Sequence, residues 1–180
     1  LASLFSATTA RTAGFNSVDT GSLTSASKLL TCALMFIGGS PGSTAGGIKT
    51  TTIFILVVSL WSGITDRHKT AIFKRRFEDD AIKKASIVFT LNMFLAVSAL
   101  FTILAITDLP LSDVMFEVFS AMGTVGMTTG ITRDLSSAAR IIIMVLMFCG
   151  RVGSLSFALT FLQGKKDPPV YYPEEEISVG

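Results

Sequence analysis

The chain has 180 residues, of which 49% are hydrophobic and only 16% charged, with a formal net charge of +2. A soluble domain is about 25% charged, and a mean hydropathy of +0.61 agrees that this composition belongs to a membrane protein, with the lipid bilayer as its first partner. The one histidine, His68, lies in a basic run, and the two cysteines, Cys32 and Cys149, lie far apart in apolar segments, so metalloenzyme and hydrolase chemistry have no constellation to work with and the chain is expected not to be an enzyme.

Residues 1–10 read as the end of a short helix, followed by a polar, non-helical stretch, 11–21, that contains Gly14, Asn16 and Gly21. An apolar helix is expected over 22–37, with Ser22 or Ser25 as its N-cap, stopping at Gly38-Gly39-Ser40-Pro41-Gly42. Twelve residues from Ala26 to Ile37 reach only about 18 Å, short of a crossing. The apolar pattern resumes at Ile48 and runs to Trp61. The gap 38–47 therefore falls at membrane depth, where irregular backbone survives only if protein buries it or it lines a water-filled cavity. A packing kink against a neighbouring helix is the other reading of this gap.

Residues 66–84 hold Arg67, Lys69, Lys74, Arg75, Arg76, Lys83 and Lys84, which the positive-inside rule places in the cytoplasm, with 108–134 outside. The interleaved Glu78, Asp79 and Asp80, without any binding motif, argue against nucleic acid as a partner. Ser86–Thr107 is uncharged and long enough to cross, with Asn92 expected to hydrogen-bond a neighbouring helix. Asp108-Leu109-Pro110 forms a corner. Residues 111–122 suit a short amphipathic helix, with Val114, Met115, Val118 and Phe119 as its apolar face, too short to cross and hence re-entrant. Glu117 either supports the following turn through buried hydrogen bonds or faces solvent. After the turn 123–130 the last span runs to Leu162, and Lys165 and Lys166 return the chain to the cytoplasm.

The chain also repeats itself. Residues 12–39 slide onto 124–151 without a gap, with identities at Thr12/Thr124, Gly14/Gly126, Thr20/Thr132, Leu23/Leu135, Ser25/Ser137, Ala26/Ala138, Leu34/Leu146, Met35/Met147, Phe36/Phe148 and Gly38/Gly150. Each unit has a Phe-Ser-Ala segment, a Thr-x-Gly turn and an apolar helix, the mark of duplicated modules. A Thr-x-Gly turn suits a cation: glycine permits backbone angles that keep consecutive carbonyls aimed at one axis, and those oxygens can replace hydration water. A re-entrant helix aims its negative C-terminal end at the same place.

The strings RTAGFNSVD and GGSPGSTAGGIKT, then GTVGMTTGI and FCGRVGSLSF, closely resemble the Trk/Ktr/HKT superfamily of cation transporters, and its bacterial Ktr branch most of all. The resemblance covers essentially the whole chain. It implies an all-α integral membrane fold of helix–pore-loop–helix units, as in potassium channels, four to a pore. This chain would supply the second half: a third unit over 1–63 truncated at its start, a basic cytoplasmic linker over 64–85, a fourth unit over 86–163 and a cytoplasmic tail over 164–180. The opening without Met, in mid-pattern, fits a piece of a longer protein, and such a piece is not expected to conduct alone.

The resemblance further implies that Thr12, Ala13, Gly14 and Phe15, with Thr124, Val125, Gly126 and Met127, form half of a filter where potassium binds. The second glycine of the channel TVGYG motif is replaced here by Asn16 and Thr128. It assigns 38–49 to an intramembrane loop that gates the path: Gly38, Gly39, Ser40, Pro41, Gly42, Ser43, Thr44, Ala45, Gly46, Gly47 and Lys49. It also implies a homodimer of membrane subunits in a bacterial plasma membrane, a cytosolic nucleotide-binding regulatory ring of RCK type, and sodium dependence in many members. No organic cofactor is expected.

Arg151 aligns with Gly39 and so should lie at a similar depth below its turn. An intramembrane charge faces the protein interior. Arg151 is expected either to face the pore and hydrogen-bond the loop's carbonyls, or to be satisfied by helix-end carbonyls away from the path. Gly42 to Thr50 also resembles a P-loop, GxxxxGK(S/T), but Ile48 intervenes between Gly47 and Lys49 and no strand precedes it. Two other transport readings remain: a sodium-preferring or sodium-coupled member of the superfamily, and a coupled carrier with alternating access. Glycine at both Gly14 and Gly126 leans toward potassium.

Overall fold

The computed structural model describes residues 2–65, 71–72 and 75–153; the end of the last span, the tail 164–180 and part of the basic linker lie outside the described residues. Six helices follow in order among them: α1 (Ala2–Thr9), α2 (Ser25–Phe36), α3 (Thr50–Ile64), α4 (Asp79–Ile106), α5 (Leu111–Met122) and α6 (Ser137–Val152), with a 3-10 turn at Ile131–Arg133 before α6. The architecture is mostly helical. One departure from the all-helical expectation is a two-residue antiparallel ribbon, β1 (Ala71–Ile72) against β2 (Arg75–Arg76), which pairs backbone groups inside the linker.

The two repeat units begin their long helices alike. Thr24 caps α2, its side chain accepting from Ser27 N, and Ser136, its repeat equivalent, caps α6 by accepting from Ala139 N. The cap of α2 is therefore Thr24, neither Ser22 nor Ser25: the oxygen that reaches an unsatisfied N–H three residues on takes the role. Helix α4 starts at Asp79, seven residues ahead of the uncharged stretch, and its 28 residues span about 42 Å. Asp80 suits the positive end of the helix dipole, so a charge that ends an apolar run here lies in the first turn of a helix. Among the described residues this is the helix long and apolar enough to cross a membrane; α2 and α3 are shorter apolar helices. Phe94, Val97 and Phe101 leave an apolar outer face on α4, the side a bilayer would cover.

Helix α5 is held by α2, α4 and α6. Val114, Phe116, Glu117, Val118, Ser120, Ala121 and Met122 are all buried, so the expected apolar face widens to nearly the whole circumference, because neighbours enclose it on several sides. Val114, Val118 and Met122 join Ile103 of α4 and Leu146 of α6 in the larger core, and Phe116 joins Cys32 and Met35 of α2 in a second. Asn92 of α4 donates to Val88 O at 2.7 Å, so this hydrogen bond runs within its own helix and not between helices as expected.

The break after α2 is an ordered excursion. Ile37 and Ile48 pair as a parallel bridge, Gly38 N donates to Ile48 O at 2.8 Å, and Ile48 N donates to Phe36 O at 3.1 Å. The chain thus leaves and returns at one point, and the freed helix-end groups find partners in the returning strand, as a low-dielectric setting demands.

Candidate functional site

Both Thr-x-Gly turns adopt the same unusual backbone. Thr12 and Thr124 have positive φ (64° and 53°), as do Gly14 and Gly126 (73° and 86°), while the residues between them do not. In an ordinary strand successive peptide groups alternate sides; alternating the sign of φ turns them toward one side. Left-handed threonine is costly, of order 1–3 kcal/mol, and persists only where neighbours enforce it. Here hydrogen bonds to the preceding short helices do so. Ala13 N and Gly14 N both donate to Thr9 O (3.2 and 3.1 Å), and Thr124 N and Val125 N donate to Ala121 O and Ser120 O (3.1 and 2.9 Å). The N–H groups are turned back to the helix ends. The two turns abut: a Cβ built on Gly14 would lie 2.1 Å from Val125 O.

Not every expected carbonyl is free. Phe15 O accepts from Thr9 Oγ1 at 2.7 Å, which ties it back to α1. Thr128 O accepts from Thr20 Oγ1, which joins the third unit to the turn of the fourth. Glu117 is buried behind that turn, where its Oε1 accepts from Thr128 Oγ1 and, at 2.8 Å, from Thr132 Oγ1. Of the two roles considered for Glu117, the geometry has the supporting one. Thr20 and Thr132 are repeat equivalents that both converge on Thr128, one on its carbonyl and one on its hydroxyl, which lies 2.8 Å from Thr132 Oγ1.

The loop 38–49 lies against the second turn, with Gly46 N donating to Thr124 Oγ1 at 3.0 Å. Two cations hold three successive carbonyls of this loop. Lys49 Nζ donates to Ser43 O (3.1 Å) and Ala45 O (2.6 Å), and Arg151 Nη1 donates to Thr44 O (2.7 Å). A cavity of about 510 Å³ lies beside them, lined by Ser43, Thr44, Lys49, Thr52 and Arg151 among others. Gly38, Gly39, Ser40, Pro41, Gly42 and Gly47 complete the excursion.

One feature of the site was missed in the sequence. Lys28 of α2 is buried and forms an ion pair with Asp113, in the first turn of α5, at 2.7 Å. The available signal was a lone lysine inside an apolar helix and a lone aspartate at the start of a short one. Such charges, when buried, are paired.

A mostly helical fold with paired left-handed Thr-x-Gly turns, a broken helix against the second of them and cationic clamps on the break fits the class of membrane cation transport proteins. Residues 1–167 match the family model described as "TrkH: Cation transport protein", and the chain belongs to that family of membrane cation transport proteins. It is 39% identical over 179 residues to the Ktr system potassium uptake protein B of Bacillus subtilis (strain 168), covering 99% of this chain and 40% of that protein. It is 37% identical over 182 residues to the potassium/sodium uptake protein NtpJ of Enterococcus hirae, covering 98% of this chain and 40% of that protein. The chain thus spans about two fifths of the length of these curated relatives. Among solved structures it resembles the potassium transporter TrkH from Vibrio parahaemolyticus, with a TM-score of 0.65 at 21% identity over 86% of this chain and 35% of the other, a likeness of fold.

Proposed function

We propose that the full-length protein carries potassium ions into the cell through a channel-like pore in the plasma membrane, and that this chain supplies two of its filter turns and its gate. The observation that carries this reading is the pair of Thr-x-Gly turns with alternating φ, abutting at Gly14 and Val125 O, with the loop hydrogen-bonded directly to Thr124. Carbonyls gathered on one side replace the hydration shell of a cation, and the C-terminal ends of α1 and α5 add negative potential there. Phe15 O, one of the four carbonyls expected of the first turn, is already engaged, and each turn has one glycine where a channel's has two. The filter is then short, and its potassium selectivity less strict than that of a channel with two filter glycines per turn. The name of the Enterococcus relative, a potassium/sodium uptake protein, supports sodium as a second permeant or coupling ion.

The loop 38–49 is the gate in this reading. Lys49 and Arg151 hold its carbonyls in the closed arrangement and place positive charge under the filter, an electrostatic barrier to cations. Opening requires Arg151 to release Thr44 O so that the glycine-rich loop can swing aside. A homodimer of membrane subunits and a cytosolic nucleotide-binding ring that drives this motion follow from the family resemblance.

The test is flux in proteoliposomes holding the full-length parent, under a potassium gradient with sodium competition, for wild type and Gly126→Ser. Nothing lies within 4 Å of a Cβ built on Gly126, so a serine fits without a clash and acts through the backbone and its hydroxyl alone. Potassium flux that weakens or admits sodium is the expected result. Flux and selectivity equal to wild type would reduce the turn to a packing corner and end the pore reading.

A further inference from the structure

One peptide group at the tip of the loop 38–49 is held from both sides. The Ala45–Gly46 peptide gives its carbonyl to Lys49 Nζ at 2.6 Å and its N–H to Thr124 Oγ1 at 3.0 Å. A cation on the carbonyl polarises the peptide and makes its N–H a stronger donor, so Lys49 strengthens a bond that it does not itself form. The fit is close. A Cβ built on Gly46 would lie 2.5 Å from Thr124 Oγ1, 2.6 Å from its Cγ2 and 3.0 Å from Gly123 O, so glycine is what permits this approach. Thr124 has little freedom to retreat, being β-branched on a left-handed backbone whose N–H is bonded to Ala121 O.

Thr124 is also the first residue of its Thr-x-Gly turn, and it lines a cavity of about 700 Å³ together with Glu117, Gly126 and Arg151. A hydroxyl carries one hydrogen and two lone pairs. As the chain stands here, a lone pair of Thr124 is taken by Gly46 N–H, and the loop backbone fills the adjoining space. The N–H turns its positive end to that oxygen, so it repels any cation drawn to the same atom. One turn of the two is tied in this way: Thr12, the repeat equivalent, has no bond to the loop among the described residues.

We propose that Thr124 couples the loop to the ion: its hydroxyl serves Gly46 while the loop is closed, and a potassium ion at the loop end of the turn once the loop has moved aside. This rests on the pore reading above and adds the regulation of the ion position nearest the loop. Two partners compete for one oxygen, so each weakens the other by the same factor. Potassium at the turn favours the open loop, and an open loop favours potassium at the turn. The factor is that of one net hydrogen bond, roughly two- to tenfold. Closure is then more than a block against the turn, because it also withdraws a ligand from the ion.

The test is potassium flux through the full-length parent in proteoliposomes, read in two ways. Resting leak reports the loop, and the half-saturating potassium concentration reports the ligand. Thr124→Val keeps the shape and removes the hydroxyl. It is expected to raise the leak roughly two- to tenfold and to raise the half-saturating concentration. Thr124→Ser, which keeps the hydroxyl, should recover most of both losses. Gly46→Ala pushes the loop off and leaves the hydroxyl to the ion, so it should raise the leak but lower the half-saturating concentration. A merely structural tie would not move half-saturation in opposite directions in two variants that leak alike. In the double variant the leak should be no larger than in the leakier single one, since both changes remove the same bond. Half-saturation shifted the same way by Thr124→Val and Gly46→Ala, or leaks that multiply in the double variant, overturn the coupling. Should Thr124→Val not fold, Gly46→Ala decides alone, and a half-saturating concentration that is unchanged or raised overturns the coupling. Saturable wild-type potassium flux with variants that behave like wild type refutes the coupling and leaves the pore reading standing. A wild type that carries no potassium refutes the pore reading, and the coupling with it.

Discussion

Gly14 and Gly126 are repeat equivalents with nearly the same backbone, φ 73° and 86°, yet alanine should affect them very differently. At both positions the left-handed conformation costs an L side chain about 1–2 kcal/mol. At Gly126 that is the whole cost within this chain, because no atom of it lies within 4 Å of the added Cβ. At Gly14 the Cβ would lie 2.1 Å from Val125 O and 3.3 Å from Val125 C, backbone atoms that cannot rotate away. One turn must shift by about 1 Å, and overpacking of that kind adds about 1–3 kcal/mol. Gly14→Ala should therefore be the more destabilising by roughly that increment. It should also move the neighbouring turn, Val125 included, whereas Gly126→Ala meets no other turn of this chain. Thermal unfolding of both variants of the full-length parent in detergent, followed by size-exclusion recovery, measures the difference, and cation flux reports the disturbed turns. A loss at Gly14→Ala no larger than the left-handed cost of about 1–2 kcal/mol would mean that the two turns do not abut as described, and their arrangement would have to be redrawn.

Arg151→Ala removes the donor to Thr44 O and should raise resting cation leak with little loss of stability; a flux trace identical to wild type would remove Arg151 from the gate. Glu117→Gln keeps the shape but exchanges a charged acceptor for a neutral one beneath the Thr128 and Thr132 hydroxyls, at about 1 kcal/mol, and should lower potassium-over-sodium discrimination in competition flux. Lys28→Met leaves Asp113 nearly buried and unpaired, which should cost about 3–5 kcal/mol, and adding Asp113→Leu should recover most of it. Unfolding of the single and double variants checks this, and additive losses would refute the pairing.

Much of the fold was legible because its signals are local or self-similar. The helices at Ser25–Phe36 and Leu111–Met122 follow from apolar runs closed by glycine or opened by proline, and the break after Phe36 from a cluster of small residues. Boundaries were less legible. Helix α4 reaches back to Asp79 because a helix tolerates charge wherever it leaves the apolar layer, so an uncharged stretch underestimates its length. Asn92 satisfied itself on its own helix, a local option that composition does not distinguish from a bond to a neighbour.

The chain's own order of residues was sufficient for the internal repeat, the two Thr-x-Gly turns, the interrupted helix and the family of membrane cation transport proteins. Each of these is written within a few residues or in the comparison of one unit with the other. The partners that make these pieces one site came from packing. Lys28 meets Asp113 across 85 positions, Arg151 meets Thr44 across 107, and Thr20 meets Thr128 across 108. A local pattern states that a buried polar group needs a partner. Which of the many distant donors and acceptors supplies it depends on how α2, α5 and α6 lie against one another, and that arrangement is set by burial of large side chains such as Met35, Phe116 and Leu146 far from any of the motifs.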